Sequence, residues 1–138
     1  MTARQDIARF IANYRSEIDG AALYRSMAAS ESKSEVAELY RRLATVEETH
    51  AEFWRRRIEN AGVKPPEGRP GWRTQLLIWA AGRFGAPAVL PLMADEEARN
   101  RKVYDNQQET HGTAMPAQER SHARMLSLLA ARSSTGWN

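Results

Sequence analysis

With 20 Lys and Arg against 17 Asp and Glu in 138 residues, the chain has a formal net charge of +3, which attracts acidic partners or anionic lipid only weakly. It has no cysteine, so disulfides, thiolate metal sites and cysteine nucleophiles are excluded, and any metal must sit on oxygen and imidazole. No basic block is interleaved with aromatics, and YRRLA and FWRRRIE read as outer sides of amphipathic helices, so nucleic-acid binding is set aside.

The N-terminal MTARQDIARF lacks the layout of a signal peptide. Thr2 and Gln5 have capping-box spacing, and Ile7, Phe10, Ile11, Tyr14, Ile18 and Ala21 follow at helical intervals, predicting a first helix over residues 3–30 with Glu17 at the edge of its apolar stripe. ASESKSE breaks the pattern. Ser32 and Glu35 form a second capping-box pair, and a second helix runs to Ala61 before a stop at Gly62. Two long helices joined by so short a turn pack antiparallel. At about 100° per residue, Leu43, Val46, Glu47, His50, Trp54 and Ile58 share one face of the second helix, and Glu48 points elsewhere.

GVKPPEGRPGW is a Pro/Gly-rich linker, and WRTQLLIWAAGRFG reads as a short crossover helix. The longest apolar stretch is interrupted by Arg83, Pro87 and Pro91, so nothing in it spans a bilayer. A third helix begins near Pro87 and places Leu90, Met93, Ala94, Glu97 and Tyr104 on one face. Arg101 falls near that face and must snorkel or pair with an acid. Asp95 and Glu96 are rotated away and Asp105 lies to one side, leaving Glu96 or Asp105 as alternatives to Glu97 for any ligand role. QETHGTAM is a loop holding a surface His111, and Pro116 opens a fourth helix with Glu119, His122, Ala123, Leu126 and Leu129 inward. No strand-like alternation occurs. The expected fold is all-α, an antiparallel four-helix bundle over residues 1–132 with a long crossover between helices two and three, and 133–138 as a tail or linker.

Each helix thus brings a glutamate to its inner face or the edge of it: Glu17, Glu47, Glu97 and Glu119. Two of the three histidines follow one turn later, in EETH (Glu47, His50) and ERSH (Glu119, His122). Antiparallel neighbours meet at equal distance from their turn. Glu17 and Glu47 have their midpoint at Ser32, and Glu97 and Glu119 have theirs at Gln108, each within a predicted turn. Four buried carboxylates would pay a desolvation cost of several kcal/mol per ion, which a dinuclear divalent metal centre removes. Glu and His at i and i+3 project from one side of a helix, the arrangement of di-iron and di-manganese bundles. Oxygen-rich ligation with two imidazoles suits Fe or Mn, and Zn would also bind. Tyr24, Tyr40 and Tyr104 read as core residues.

These residues resemble the ferritin-like, rubrerythrin-type di-iron family. EIDGAALYRSMA, RRLATVEETHAEFW, VLPLMADEEARNRKVYDNQ and ERSHARML are more closely similar to the erythrin domain of bacterial membrane-bound ferritins. The resemblance implies two Fe ions held by Glu17, Glu47, His50, Glu97, Glu119 and His122, uptake of Fe(II), and its oxidation by dioxygen or hydrogen peroxide, a ferroxidase activity. It also implies a role in iron homeostasis or efflux at the cytoplasmic face of the inner membrane, with a membrane iron-transport region C-terminal to this segment. The Cys-free chain departs from rubrerythrins proper in having no rubredoxin-like domain, so a peroxidase cycle needs an outside reductant. The spacing of Glu97 to Glu119 is also shorter than in that family.

Two other readings stand beside this one. The spacing of Glu17, Glu47 and His50 also resembles encapsulated ferritins, whose two-helix units build a site across a dimer. A metal-free helical interaction module would instead use the apolar crossover to dock a partner or membrane. Trp72, Trp79 and Phe84 in that crossover favour a homodimer in each case.

Overall fold

Helix α1 (Ala3–Ser30) starts where the sequence says it should, because Thr2 Oγ1 accepts from the Gln5 N–H and the Gln5 side chain accepts from the Thr2 N–H. The computed structural model describes residues 2–105 and 107–134, without the side chains of 101–105 and 132–134. The expectations for Arg101, Tyr104 and Asp105 therefore lie outside the described residues, as does the tail from 135 onward. Among the described residues every regular element is helical, with no strand, consistent with a ferritin-like helical bundle. The chain divides into two compact units, Met1–Trp79 and Ala80–Asn138.

The first unit is a hairpin of α1 and α2 (Ser34–Asn60). Its core is aromatic at one end, where Phe10 stacks on Trp54 with ring centroids 5.7 Å apart, and Tyr24, Tyr40 and Met27 fill the other. Arg25 and Glu48 bridge the two helices on the wet side at 2.6 Å. The second capping box does not form. Lys33 occupies the N-cap without a side-chain bond, and Ser32 precedes the helix by one residue too many. Glu31 takes over locally, its carboxylate accepting from the Lys33 N–H at 3.1 Å. At the other end Gly62, at φ 81, turns the chain left-handed, and its N–H and that of Val63 reach back to Glu59 and Ile58.

Beyond Gly62 the linker is tied to α1. Asp19 Oδ1 accepts from the Gly71 N–H at 2.8 Å, and a Cβ at Gly68 would stand 3.2 Å from the Tyr14 hydroxyl. Helix α3 (Trp72–Phe84) follows, with Thr74 and Ala81 buried and Trp72, Leu76 and Trp79 exposed.

In the second unit, Gly85 at φ 92 leads into a 3-10 turn, Ala86–Ala88. Pro87 thus lies in this turn, and the regular helix α4 (Leu90–Asp105) begins three residues later than expected, with Pro91 in its first turn. Helix α5 (Met115–Ser134) packs on α4 and continues two residues into the expected tail. Leu90, Met93 and Ala94 on one helix and Met115 and Leu126 on the other are buried. The turn between them is pinned by Thr110, fully buried, whose hydroxyl donates to the Gln107 carbonyl at 2.9 Å. His111 is exposed, as the sequence led us to expect. No helix among the described residues is long and apolar enough to cross a membrane.

Candidate metal centre

In the first unit, Glu47 and His50 lie one turn apart on α2, so both side chains leave the same face and enter the layer occupied by Glu17 of α1. Glu17 is not at the edge of its stripe. It is fully buried, at 0% exposure, because Phe10, Asn13, Tyr14, Ala21 and Tyr24 continue the buried face on either side of it. Glu47 and His50 are equally withdrawn from water. One donor atom from each of the three lies within 4.8 Å of the others.

The second unit repeats the chemistry. Glu119 and His122 on α5 and Glu97 on α4 are all buried, and again offer donors within 4.8 Å of one another. Asp95 and Glu96 are exposed, and Glu96 accepts from Arg99 Nη2 at 2.6 Å, so the acidic run is sorted by direction, with Glu97 alone turned inward among these three.

In each triad the histidine–glutamate pair stands farther apart than a good hydrogen bond. His50 Nδ1 stands 3.4 Å from Glu17 Oε2, and His122 Nδ1 stands 3.8 Å from Glu97 Oε2. A good N–H···O bond spans about 2.7–3.2 Å. Two donors each about 2.1 Å from a shared ion stand roughly 3–3.4 Å apart at octahedral to tetrahedral angles. The first pair matches that separation and the second needs a shift of a few tenths of an ångström. Carboxylate and imidazole without thiolate form a donor set for Fe, Mn or Zn.

The surrounding charge is arranged differently. Glu48, next to Glu47 but exposed, is held below the usual carboxylate range by its hydrogen bond to Arg25. Glu52, one turn further on the outer side, is pulled down to about 2 by hydrogen bonds from Arg55 and Arg56. The arginines thus neutralise the outer acids of α2. The inner acids face each other and histidine.

Sequence reasoning overlooked Gly20. It sits in the interior of α1, where glycine costs about 1 kcal/mol against alanine, a cost that signals a close approach. A Cβ there would lie 3.4 Å from Glu47 Oε2, at van der Waals contact, so α1 and the carboxylate run close beside each other at this point.

Residues 11–69 match the Rubrerythrin family model, a span that takes in Glu17, Glu47 and His50 and covers less than half of the chain. No curated protein and no solved structure matches it.

Proposed function

We propose that this chain binds Fe(II) at a dinuclear carboxylate–imidazole centre and oxidises it, with dioxygen or hydrogen peroxide as the electron acceptor and Glu17, Glu47, His50, Glu97, Glu119 and His122 as the ligands. The observation that carries the reading is the recurrence, in two helix pairs, of the same buried group of two glutamates and one histidine. Each group gathers two carboxyls and an imidazole where solvation is poor, and a bound cation would offset the cost of ionising them there. The assembly of the two pairs into one four-helix bundle, and so of the two triads into one centre, belongs to the proposal. The midpoints at Ser32 and Gln108 support the level pairing within each hairpin, and the matching donor sets of the two hairpins suggest the rest.

When bound, iron supplies the redox chemistry, and the chain supplies geometry and charge. Its carboxylates would bind and offset the cations, His50 and His122 would offer imidazole nitrogens, and the buried setting excludes bulk water. The similarity to the erythrin domain of membrane-bound ferritins supports a further step. In this reading the segment loads iron for storage, sensing or efflux beside a membrane transport region.

The test is elemental analysis after anaerobic Fe(II) loading, with oxidation then followed optically. About two irons per chain are expected, and Glu47→Ala with His50→Ala should abolish binding. A saturation curve absent from the unmodified protein defeats the reading. A second reading, an encapsulated-ferritin-like site across a dimer, is favoured by one observation: the family match ends at residue 69 and holds one complete triad. Under it, Glu119→Ala with His122→Ala would leave metal stoichiometry unchanged. Under the first reading, the same double substitution reduces it.

A further inference from the structure

Helix α3 carries its largest apolar side chains on the wrong side for a helix that only packs inward. At about 100° per residue, Trp72, Leu76 and Trp79 fall in one stripe with Arg83 at its end, and Thr74 and Ala81 fall on the opposite side. Thr74 and Ala81 are the buried ones. The stripe faces water, with Trp72, Leu76 and Trp79 at 69%, 56% and 60% exposure. The large apolar side chains of this helix thus stand on its exposed side, opposite the side that is buried.

Length and charge narrow the choice of what covers the exposed side. At 13 residues the helix is about 20 Å long, short of the roughly 30 Å needed to cross a bilayer core. From Gly68 to Ala94 the chain has three arginines, Arg69, Arg73 and Arg83, and no acidic residue. Arg69 is offset by Glu67 at 3.4 Å. The Arg73 and Arg83 guanidiniums lie over the Trp72 and Phe84 rings, each 5.3 Å from the ring centroid, so cation and aromatic surface are presented together at both ends of the helix. A second copy docking through the same face about a two-fold axis would bring like charges together. Anionic headgroups over an acyl layer accept both the apolar stripe and the arginines.

We propose that α3 is an interfacial anchor, which lays the Trp72, Leu76 and Trp79 stripe into the surface of an anionic lipid bilayer with Arg73 and Arg83 at the phosphates. It lies in the plane of the membrane and does not cross it. The proposal is independent of metal binding, since none of its residues belongs to either triad.

The experiment mixes the full chain with vesicles of phosphatidylcholine and phosphatidylglycerol in a three to one ratio, or of phosphatidylcholine alone, and measures co-flotation and tryptophan emission. Partitioning to the mixed vesicles with a blue shift is expected, weakened by salt, with binding to phosphatidylcholine alone about ten-fold lower or less. Trp72→Ser with Trp79→Ser, and separately Arg73→Gln with Arg83→Gln, should each reduce partitioning about ten-fold at unchanged helicity. All four side chains are exposed, so the fold should survive. Equal binding to the two lipid mixtures, or binding unaffected by either pair of substitutions, overturns the proposal. So does a chain that ignores vesicles but is a dimer by light scattering and becomes a monomer when the two tryptophans are replaced, which would give the face to a second copy.

Discussion

Adjacent glutamates on α2 live in opposite environments: Glu47 is 1% exposed beside Gly20, whereas Glu48 is exposed and bonded to Arg25. A helix turns about 100° between them, which suffices to separate a buried ligand candidate from a surface ion pair. Gly20→Ala tests how tightly that pocket is drawn. Alanine gains about 0.5–1 kcal/mol of helix propensity, and a 3.4 Å approach to Glu47 is ordinary contact, so the metal-free protein should melt a few degrees higher. A lower melting temperature would mean that Glu47 cannot give way. Tyr40 offers a second residue-scale test. Burial, helped by the negative charge of Glu31, pushes its hydroxyl up to about 12, against about 10 in an unfolded chain. The neutral form is therefore favoured by folding. That stability is intact below about pH 10 and is lost as pH rises from there through about 12. Tyr40→Phe should flatten the loss, as read by denaturant unfolding across that range.

Among the elements, helix starts show what a sequence pattern can and cannot specify. Thr2 and Gln5 match the capping-box spacing and form it; Ser32 and Glu35 match it equally and do not, because the chain enters α2 at Lys33 with Glu31 bonding the backbone. The pattern records a capacity, and the path of the preceding turn decides whether it is used. Thr2→Ala should accordingly cost about 1 kcal/mol, and Ser32→Ala should stay within about 0.5 kcal/mol of the parent, both by chemical denaturation. The inward positions of Glu47, His50, Glu97, Glu119 and His122 were legible for a firmer reason: apolar residues flank each at helical spacing, and periodicity over a long helix tolerates an error of a residue at its ends. Glu17 was placed at the edge because Ile7, Ile11 and Ile18 drew the expected stripe to one side. In the structure those isoleucines are half-buried, and Phe10, Asn13, Tyr14 and Ala21 lie deeper. Gly20 escaped notice because a glycine acts through what it lacks.

At the scale of the molecule, two helix pairs each hold two buried carboxyls and an imidazole, a group that is costly to bury ionised unless a cation offsets it. Stability and metal binding should therefore trade against each other. Glu17→Gln removes one buried charge at nearly constant shape, and the metal-free variant should be more stable than its parent by roughly 1 kcal/mol or more. It should also lose most of the rise in melting temperature that Fe(II) gives the parent, a rise set by free metal relative to its dissociation constant. Thermal melts with and without anaerobic Fe(II) read both quantities. A variant less stable without metal and still strongly stabilised by it would show that Glu17 is a packing residue.

The linker after α2 has a consequence for how the chain survives a protease. It is exposed over much of its length and carries Lys64 and Arg69, the residues trypsin cuts after, yet each is followed by a proline, at Pro65 and Pro70, which blocks that cleavage. Its far end is held by Asp19. Limited trypsin digestion should therefore leave 62–71 whole and find its first accessible bonds elsewhere, with mass spectrometry of the earliest fragments as the check. Lys64→Arg would change nothing, whereas Pro65→Ala would open a cut between a finished hairpin and everything that follows it.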